Sequence, residues 1–381
     1  MQRRSGKMRH ALTNQSRSRR TTMKFIDRLR LWATLAGEVL FRRRIDRFRL
    51  VLGGHIYFQT LSAAVQLDVF SVLDERGPQT PAQLQSLLQL QEQPCRILML
   101  GLCAIELIGQ RNGRYVNSRV ATKYFSRRSK RNLINIVKWQ HFINYKAMFH
   151  FADALRSGTN LGLQEFAGNE PYLYGRLTHQ PPLEKIFQDA MEEISRQASE
   201  NFARYVDLSK VKYLVDVGGG NASNIITIAR EHPHLRAAVF DSASVCAIAE
   251  GNIAAHALQN RLGTSVGDCF QDAFPTDADA ILFCQFFTIW SLQENLLLLK
   301  RAFAALPKGG RVMIFNMMQN DDRSGPLSAA LGSPYFLTLA TGKGMLYTWA
   351  EYTALFEQAG FVGVEQIQLP VDHGVIIGYK P

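Results

Sequence analysis

The stretch Val215-Asp216-Val217-Gly218-Gly219-Gly220 decides the fold. A strand-like run ends in three glycines, and a helical segment starts near Ala222 or Ser223. The backbone can therefore pass close beneath a ligand held at a helix N-terminus. A glycine turn alone serves dinucleotide sites nearly as well as methyl-donor sites, and Asn221-Ala222-Ser223 adds no further glycine. From Tyr213 onward, short β-rich runs at Tyr213–Val217, Ala237–Phe240, Ala280–Cys284 and Val312–Phe315 alternate with helical segments. That alternation predicts an α/β, Rossmann-like domain whose parallel sheet carries helices on both faces and binds ligands at the carboxyl ends of its strands.

Two acidic signals follow in order. Phe240-Asp241 closes the next strand, 23 residues after Gly218, where a carboxylate accepts from both ribose hydroxyls; this still fits NAD. Val266-Gly267-Asp268-Cys269-Phe270, ahead of a loop containing Pro275, places another carboxylate where an adenine amino group could be held. Taken together, the three signals favour S-adenosylmethionine (SAM) over a nicotinamide.

Upstream, charge is uneven. Residues 1–50 carry 15 lysines and arginines against Asp27, Glu38 and Asp46, which accounts for the whole formal charge of +12 in a chain of 381 residues. A neutral body with a basic tail, residues 1–23, predicts a disordered arm and argues against a nucleic-acid-binding face. Met8 and Met23 are alternative starts, and a transit peptide is a second reading of the tail. Leu31–Phe41 is apolar, but it contains Glu38 and runs into Arg42-Arg43-Arg44, so it does not read as a signal peptide. No apolar run reaches the ~18 residues of a membrane span. The five cysteines, Cys95, Cys103, Cys246, Cys269 and Cys284, lack metal-site spacing, which predicts a reducing, cytoplasmic setting and no structural metal.

Between tail and sheet the chain reads as helical. Residues 24–125 are expected to form an α-helical, winged-helix-like unit: Phe25, Leu29, Trp32, Leu35, Val39 and Leu40 recur at helical spacing, and Leu107–Val116 sets an Asn-Gly turn between two extended runs. Its apolar helices suit a second subunit, giving a homodimer, whereas residues 55–125 lack the dense basic helix that DNA requires. Residues 126–210 read as a helical linker and pocket region, irregular from Thr159 to Pro182, and residues 211–381 as the SAM-binding domain.

Val215–Gly220, Val239-Phe240-Asp241, Gly267-Asp268, Ile289-Trp290-Ser291, Leu306-Pro307-Lys308-Gly309-Gly310-Arg311 and Ala359-Gly360-Phe361 together resemble the aromatic O-methyltransferase family of plant caffeate and bacterial polyketide methyltransferases. The resemblance runs from about His55 to the C-terminus. It implies that Gly218 lies beneath the methionine part of SAM, that Asp241 holds the ribose, and that Asp268 with Cys269 flanks the adenine. Ser195 and Cys284 fall at further cofactor contacts, although Cys284 replaces a common Lys. Asp216 either orients the glycine loop or reaches the donor's amino group. Phe187 and Met191, spaced on one helix face with Ser195, together with Trp139 and Phe287, are implied to line an aromatic substrate pocket.

Plant members carry a catalytic His where this chain has Thr288. Their supporting acids fall at Asn316 and within Thr341–Met345, where no acid stands. A phenol of pKa ~10 needs about 4 kcal/mol to ionise at pH 7, and positioning alone contributes ~7–11 kcal/mol, so transfer to oxygen without a base is feasible. The alternative acceptor is a ring carbon ortho to a hydroxyl, as in family members acting on tyrosine or 3-hydroxykynurenine. His141 and His373 are the leading base candidates, with His150, His179 and Thr288 behind them. A rival reading keeps the fold and SAM binding without turnover.

Overall fold

A computed structural model describes Ile45 and residues 48–381. The expected tail over 1–23 and most of the helical run over 24–52 lie outside the described residues.

The N-terminal unit packs the helices Gly54–Gln66, Val69–Arg76, Pro81–Leu87 and Glu92–Ala104 around Phe70, Leu84, Met99 and Leu102, all fully buried. Thr80 and Gln83 close a capping box ahead of Pro81, which fixes where that helix starts. The antiparallel strands β1 (Ile108–Arg111) and β2 (Arg114–Asn117) follow. Their turn is Asn112-Gly113, both at positive φ as a two-residue hairpin demands. Helix, hairpin and the helix Arg119–Phe125, capped by Ser118, give the winged-helix-like outline.

A helical layer connects this unit to the sheet. The helix Ile134–Trp139 runs into a π-turn, Gln140–Asn144, and the 25-residue helix Pro181–Tyr205 spans toward the sheet. Leu327–Tyr335 and its own π-turn, Phe336–Ala340, return to the same layer from late in the chain. Trp139, Ile143, Leu163, Phe166, Leu173, Phe187, Tyr335 and Leu339 bury one another there, with Met191 partly buried beside them.

The remaining strands are β3 (Tyr213–Val217), β4 (Arg236–Asp241), β5 (Leu262–Val266), β6 (Ala280–Cys284), β7 (Arg311–Met317), β8 (Val362–Gln368) and β9 (His373–Tyr379). They form one sheet in the order β5-β4-β3-β6-β7-β9-β8, parallel through β7 and antiparallel at β9 and β8. The central parallel strands β3 and β6 are buried on both faces, which explains their near-continuous apolar sequence. One face packs on Phe202, Ile225 and Ile253 of the helices Pro181–Tyr205, Ser223–Glu231 and Ala243–Ala255. The other packs on Leu298, Leu299, Tyr352 and Phe356 of Leu292–Ala305 and Trp349–Ala359. The strand order reverses between β3 and β6, so their carboxyl ends, Val217 and Cys284, define the crevice where such sheets bind ligands.

Candidate active site

The glycine loop leaves β3 as the spacing predicts, and the helix begins at Ser223. Gly218 takes φ +72 and donates its N–H to the Phe240 carbonyl at 2.9 Å, which ties the loop to β4. A methyl group at Gly218 would fall 2.3 Å from the Phe286 ring, so only glycine lets the loop and this aromatic side chain approach. Gly220, also at positive φ, donates to Asp241 Oδ2 at 3.2 Å, and a Cβ there would meet nothing within 4 Å. The Asp241 carboxylate, at the end of β4, also accepts from the Ser242 N–H at 2.8 Å. Burial raises its pKa while these two N–H groups hold it down.

Asp216 has a different character. It is fully buried beneath Gly219, and neither carboxylate oxygen has a hydrogen-bond partner. Burial pushes its carboxyl up to about 8; the Asp241 charge adds to this, and the Asn224 side chain, near but outside hydrogen-bond geometry, eases it. Orphaned buried carboxylate oxygens of this kind are costly unless a donor or cation arrives.

Asp268 lies at the exposed carboxyl end of β5. Its Oδ1 accepts from the Phe270 N–H and its Oδ2 from the Gln271 side chain, so both oxygens serve their own loop. Cys269 is half-buried beside it and, through burial and the neighbouring Asp268 and Asp241, its thiol is pushed up to about 12, which keeps it protonated. Cys284 is buried next to Asp216 and is likewise a thiol, its pKa raised by burial. Ser195 is half-buried on the long helix, one turn before Ser199, whose hydroxyl donates to Asn224 Oδ1 at 2.5 Å.

The structure brings Trp139, Phe187 and Met191 into one aromatic layer with Tyr174 and Tyr335. Trp139 meets Tyr335 edge-on at 5.4 Å; its Nε1 has no partner, and the Tyr335 hydroxyl lies near that of Tyr174 but outside hydrogen-bond geometry. Phe287 sits elsewhere, fully buried among Phe283 and Tyr352 in the sheet core. Its neighbour Phe286 faces the glycine loop and approaches Trp290, which also meets Phe270 at 4.8 Å and Tyr172 at 6.0 Å. Sequence reasoning missed Phe286. It lies beyond the end of β6 at Cys284, after Gln285 at positive φ and just before the 3-10 turn Phe287–Ile289, where no strand or helix period sets which way a side chain points.

The base candidates are dispersed. His141 occupies the π-turn, edge-on to Phe142, with its Nδ1 buried and unpartnered; burial lowers its pKa. His150 and His179 pair with Glu165 at 2.8 Å and Glu170 at 2.6 Å. Thr288 is buried and donates its hydroxyl to the Gln285 carbonyl at 3.3 Å. Asn316 instead donates to the buried Tyr352 hydroxyl at 3.0 Å. His373, at the start of β9, is buried beside the end of β7. Among the described residues no group of His, Cys, Asp and Glu could hold a metal ion.

Carboxylates at the ends of β3 and β4, open space above Gly220 and an aromatic wall of Phe286 and Trp290 have the chemistry to suit a cationic nucleoside: acids match an ammonium and ribose hydroxyls, and ring faces match a positive sulfur. The unpartnered oxygens of Asp216 fit that donor set. The chain belongs to the O-methyltransferase family: residues 148–362 match its O-methyltransferase domain and residues 50–127 its dimerisation domain. It is an S-adenosylmethionine-dependent methyltransferase. It is 35% identical to the L-tyrosine C(3)-methyltransferase of Streptomyces lavendulae, over 87% of this chain and 91% of that one. It is 31% identical to the 3-hydroxy-5-methyl-1-naphthoate 3-O-methyltransferase of Streptomyces sahachiroi, over 84% of this chain and 91% of that one. The crystal structure of the SAM-dependent methyltransferase SibL in its apo form superposes with a TM-score of 0.80 at 36% identity, covering 88% of this chain and 99% of that one.

Proposed function

We propose that this enzyme methylates a ring carbon ortho to the hydroxyl of a small phenolic amino acid of the tyrosine class. The observation that carries this reading is Thr288. At the position where plant members resemble one another in carrying a base, the hydroxyl is committed to the Gln285 carbonyl, and Asn316 is committed to Tyr352. Without a base aimed at oxygen, a phenol that keeps its proton is a poor oxygen nucleophile, whereas its hydroxyl still donates electron density to the ortho carbon. The likeness to a tyrosine C(3)-methyltransferase supports the same acceptor class.

In this account Asp241 and Asp216 hold the donor's ribose and ammonium, and Gly218 gives it room. SAM, when bound, supplies an electrophilic methyl on a positively charged sulfur. Phe286 and Trp290 wall that position from water, and the layer containing Trp139, Phe187 and Met191 holds the flat acceptor, leaving positioning as the main source of rate. The ortho carbon takes the methyl as the methyl–sulfur bond breaks with its electron pair left on sulfur, then re-aromatises by releasing its ring proton to solvent, and the hydroxyl stays free. L-tyrosine deuterated at both ring positions ortho to the hydroxyl tests this by mass spectrometry. Loss of one deuterium in the methylated product supports carbon transfer; retention of both overturns it. Transfer to oxygen is the second reading, favoured by the likeness to the naphthoate 3-O-methyltransferase.

We further take residues 126–210 as the acceptor-pocket region, residues 211–381 as the donor domain, and the N-terminal unit as the contact of a homodimer. Its exposed Ile56, Ile97 and Leu100 are apolar side chains suited to burial against a second copy. A cytoplasmic setting accords with five free cysteines. Sedimentation showing only monomer would reject the dimer.

A further inference from the structure

The crevice between β3 and β6 opens onto Gln285, the first residue beyond β6. It lies directly before Phe286, whose ring packs on Gly218. Gln285 is half-buried and holds φ +52, a conformation that a non-glycine residue adopts at a cost. Its N–H donates to the Phe315 carbonyl at 2.7 Å, and its own carbonyl accepts from Thr288, so the backbone is fixed on both sides. From the far side of β7, His373 stands opposite Met317 in the β7–β9 pairing and reaches back, its Nε2 lying 3.4 Å from Gln285 Nε2. His373 is more than nine-tenths buried and pairs with Met317, the last residue of β7.

Hydrogen-bond logic fixes the roles. The Val371 carbonyl, 2.9 Å from His373 Nδ1, can only accept, so Nδ1 carries the proton and Nε2 the lone pair. Gln285 must then turn its NH₂ toward Nε2, which leaves Oε1 as the free end of the amide. Burial lowers the pKa of this imidazole and so favours its neutral form, against the opposing pull of the Val371 and Pro370 carbonyls and the Asp372 carboxylate. Asp372 is itself engaged by the Ser328 hydroxyl at 2.7 Å.

We propose that Gln285 is an acceptor-positioning residue whose side-chain oxygen receives the hydroxyl of the methyl acceptor, and that His373 locks the amide in the orientation that presents this oxygen. The proposal rests on the methyltransferase reading with a hydroxylated acceptor. It explains what stands in for the polar function missing at Thr288: an oriented, neutral hydrogen-bond acceptor that aligns the phenol without removing its proton.

The test uses the full chain with SAM and L-tyrosine. Gln285→Ala is expected to raise the acceptor KM about tenfold, the worth of one neutral hydrogen bond, while the SAM Kd by calorimetry stays within about twofold. His373→Ala is expected to do the same, and the double variant to be no worse than either single one, because both lose the same oriented amide. Effects that multiply, fall on SAM affinity, or leave the acceptor KM unchanged would overturn the proposal. Nitrogen-15 NMR of histidine-labelled wild-type enzyme near pH 7 gives a readout independent of turnover: a protonated Nδ1 and bare Nε2 at His373, with the Nε2 signal moving in Gln285→Ala. A proton on Nε2 would refute the amide orientation even if the variants fail to fold. Absence of any methylated tyrosine would instead count against the acceptor class proposed above.

Discussion

Asp216→Asn separates the electrostatics of the glycine loop from its shape. The wild-type carboxyl is buried without a hydrogen-bond partner and titrates at about 8, against about 3.9 in an unfolded chain. Its folded pKa is raised, so the folded state holds a proton that the unfolded state has released between those values. Stability from this group is therefore fully present below pH 4 and falls by about 1.4 kcal/mol per pH unit until pH 8. Asparagine is isosteric with the neutral acid and does not titrate. In urea unfolding at pH 5, 6, 7 and 8, the stability of Asp216→Asn relative to wild type should climb by about 1.4 kcal/mol per unit, on the order of 4 kcal/mol across the range. The same variant should bind SAM more weakly at pH 8, because a bound ammonium favours the ionised carboxylate. Wild type should release up to one proton on binding SAM at pH 7, seen as a dependence of the calorimetric heat on buffer ionisation enthalpy. Parallel stability curves for the two proteins, or binding heats that ignore the buffer, would refute this account of Asp216.

Asp241→Ala leaves the Gly220 and Ser242 N–H groups unpaired and removes the ribose partner, so the SAM Kd should rise roughly 30- to 1,000-fold, from about 2–4 kcal/mol of charged hydrogen bonding; calorimetry checks it. Gly218→Ala forces a Cβ to within 2.3 Å of Phe286 and strains a positive φ worth ~1–2 kcal/mol, so SAM binding should weaken at least about tenfold and recover in part when Phe286→Ala is added. Phe287→Ala should cost about 3–5 kcal/mol of stability in urea unfolding through a cavity in the sheet core, with SAM affinity of the folded protein retained. Thr288→Ala should lower stability by about 1 kcal/mol and leave kcat within about threefold, because its hydroxyl is already spent on Gln285.

The parallel core was legible because strands buried on both faces must be apolar, and β3 and β6 begin and end where their hydrophobic runs do. Strand β5, Leu-Gly-Thr-Ser-Val, and the edge strand β8, Val-Gly-Val-Glu-Gln-Ile-Gln, are only partly buried and carry no such signal. The π-turns at Gln140–Asn144 and Phe336–Ala340 insert a residue into a helical frame, which periodicity cannot reveal. Among candidate site residues, the places of Gly218 and Asp241 in the fold were readable because neighbours in sequence set them: a turn, and the end of a strand. The orphaned state of Asp216 and the pairing of Gln285 with His373, 88 positions apart, arise from the packing of β7 between β6 and β9. Phe286 and Phe287 look alike in sequence, and only the direction of each side chain separates loop partner from core.

In the proposed reaction this crevice delivers the SAM methyl to the ring carbon beside a phenolic hydroxyl. Incubating the enzyme with L-tyrosine and SAM carrying a carbon-13 methyl, and recording the carbon spectrum of the product, tests it most directly. An aryl methyl signal on a ring that keeps its free hydroxyl is expected; a methoxy signal, or no transfer to any phenolic amino acid, would contradict carbon transfer.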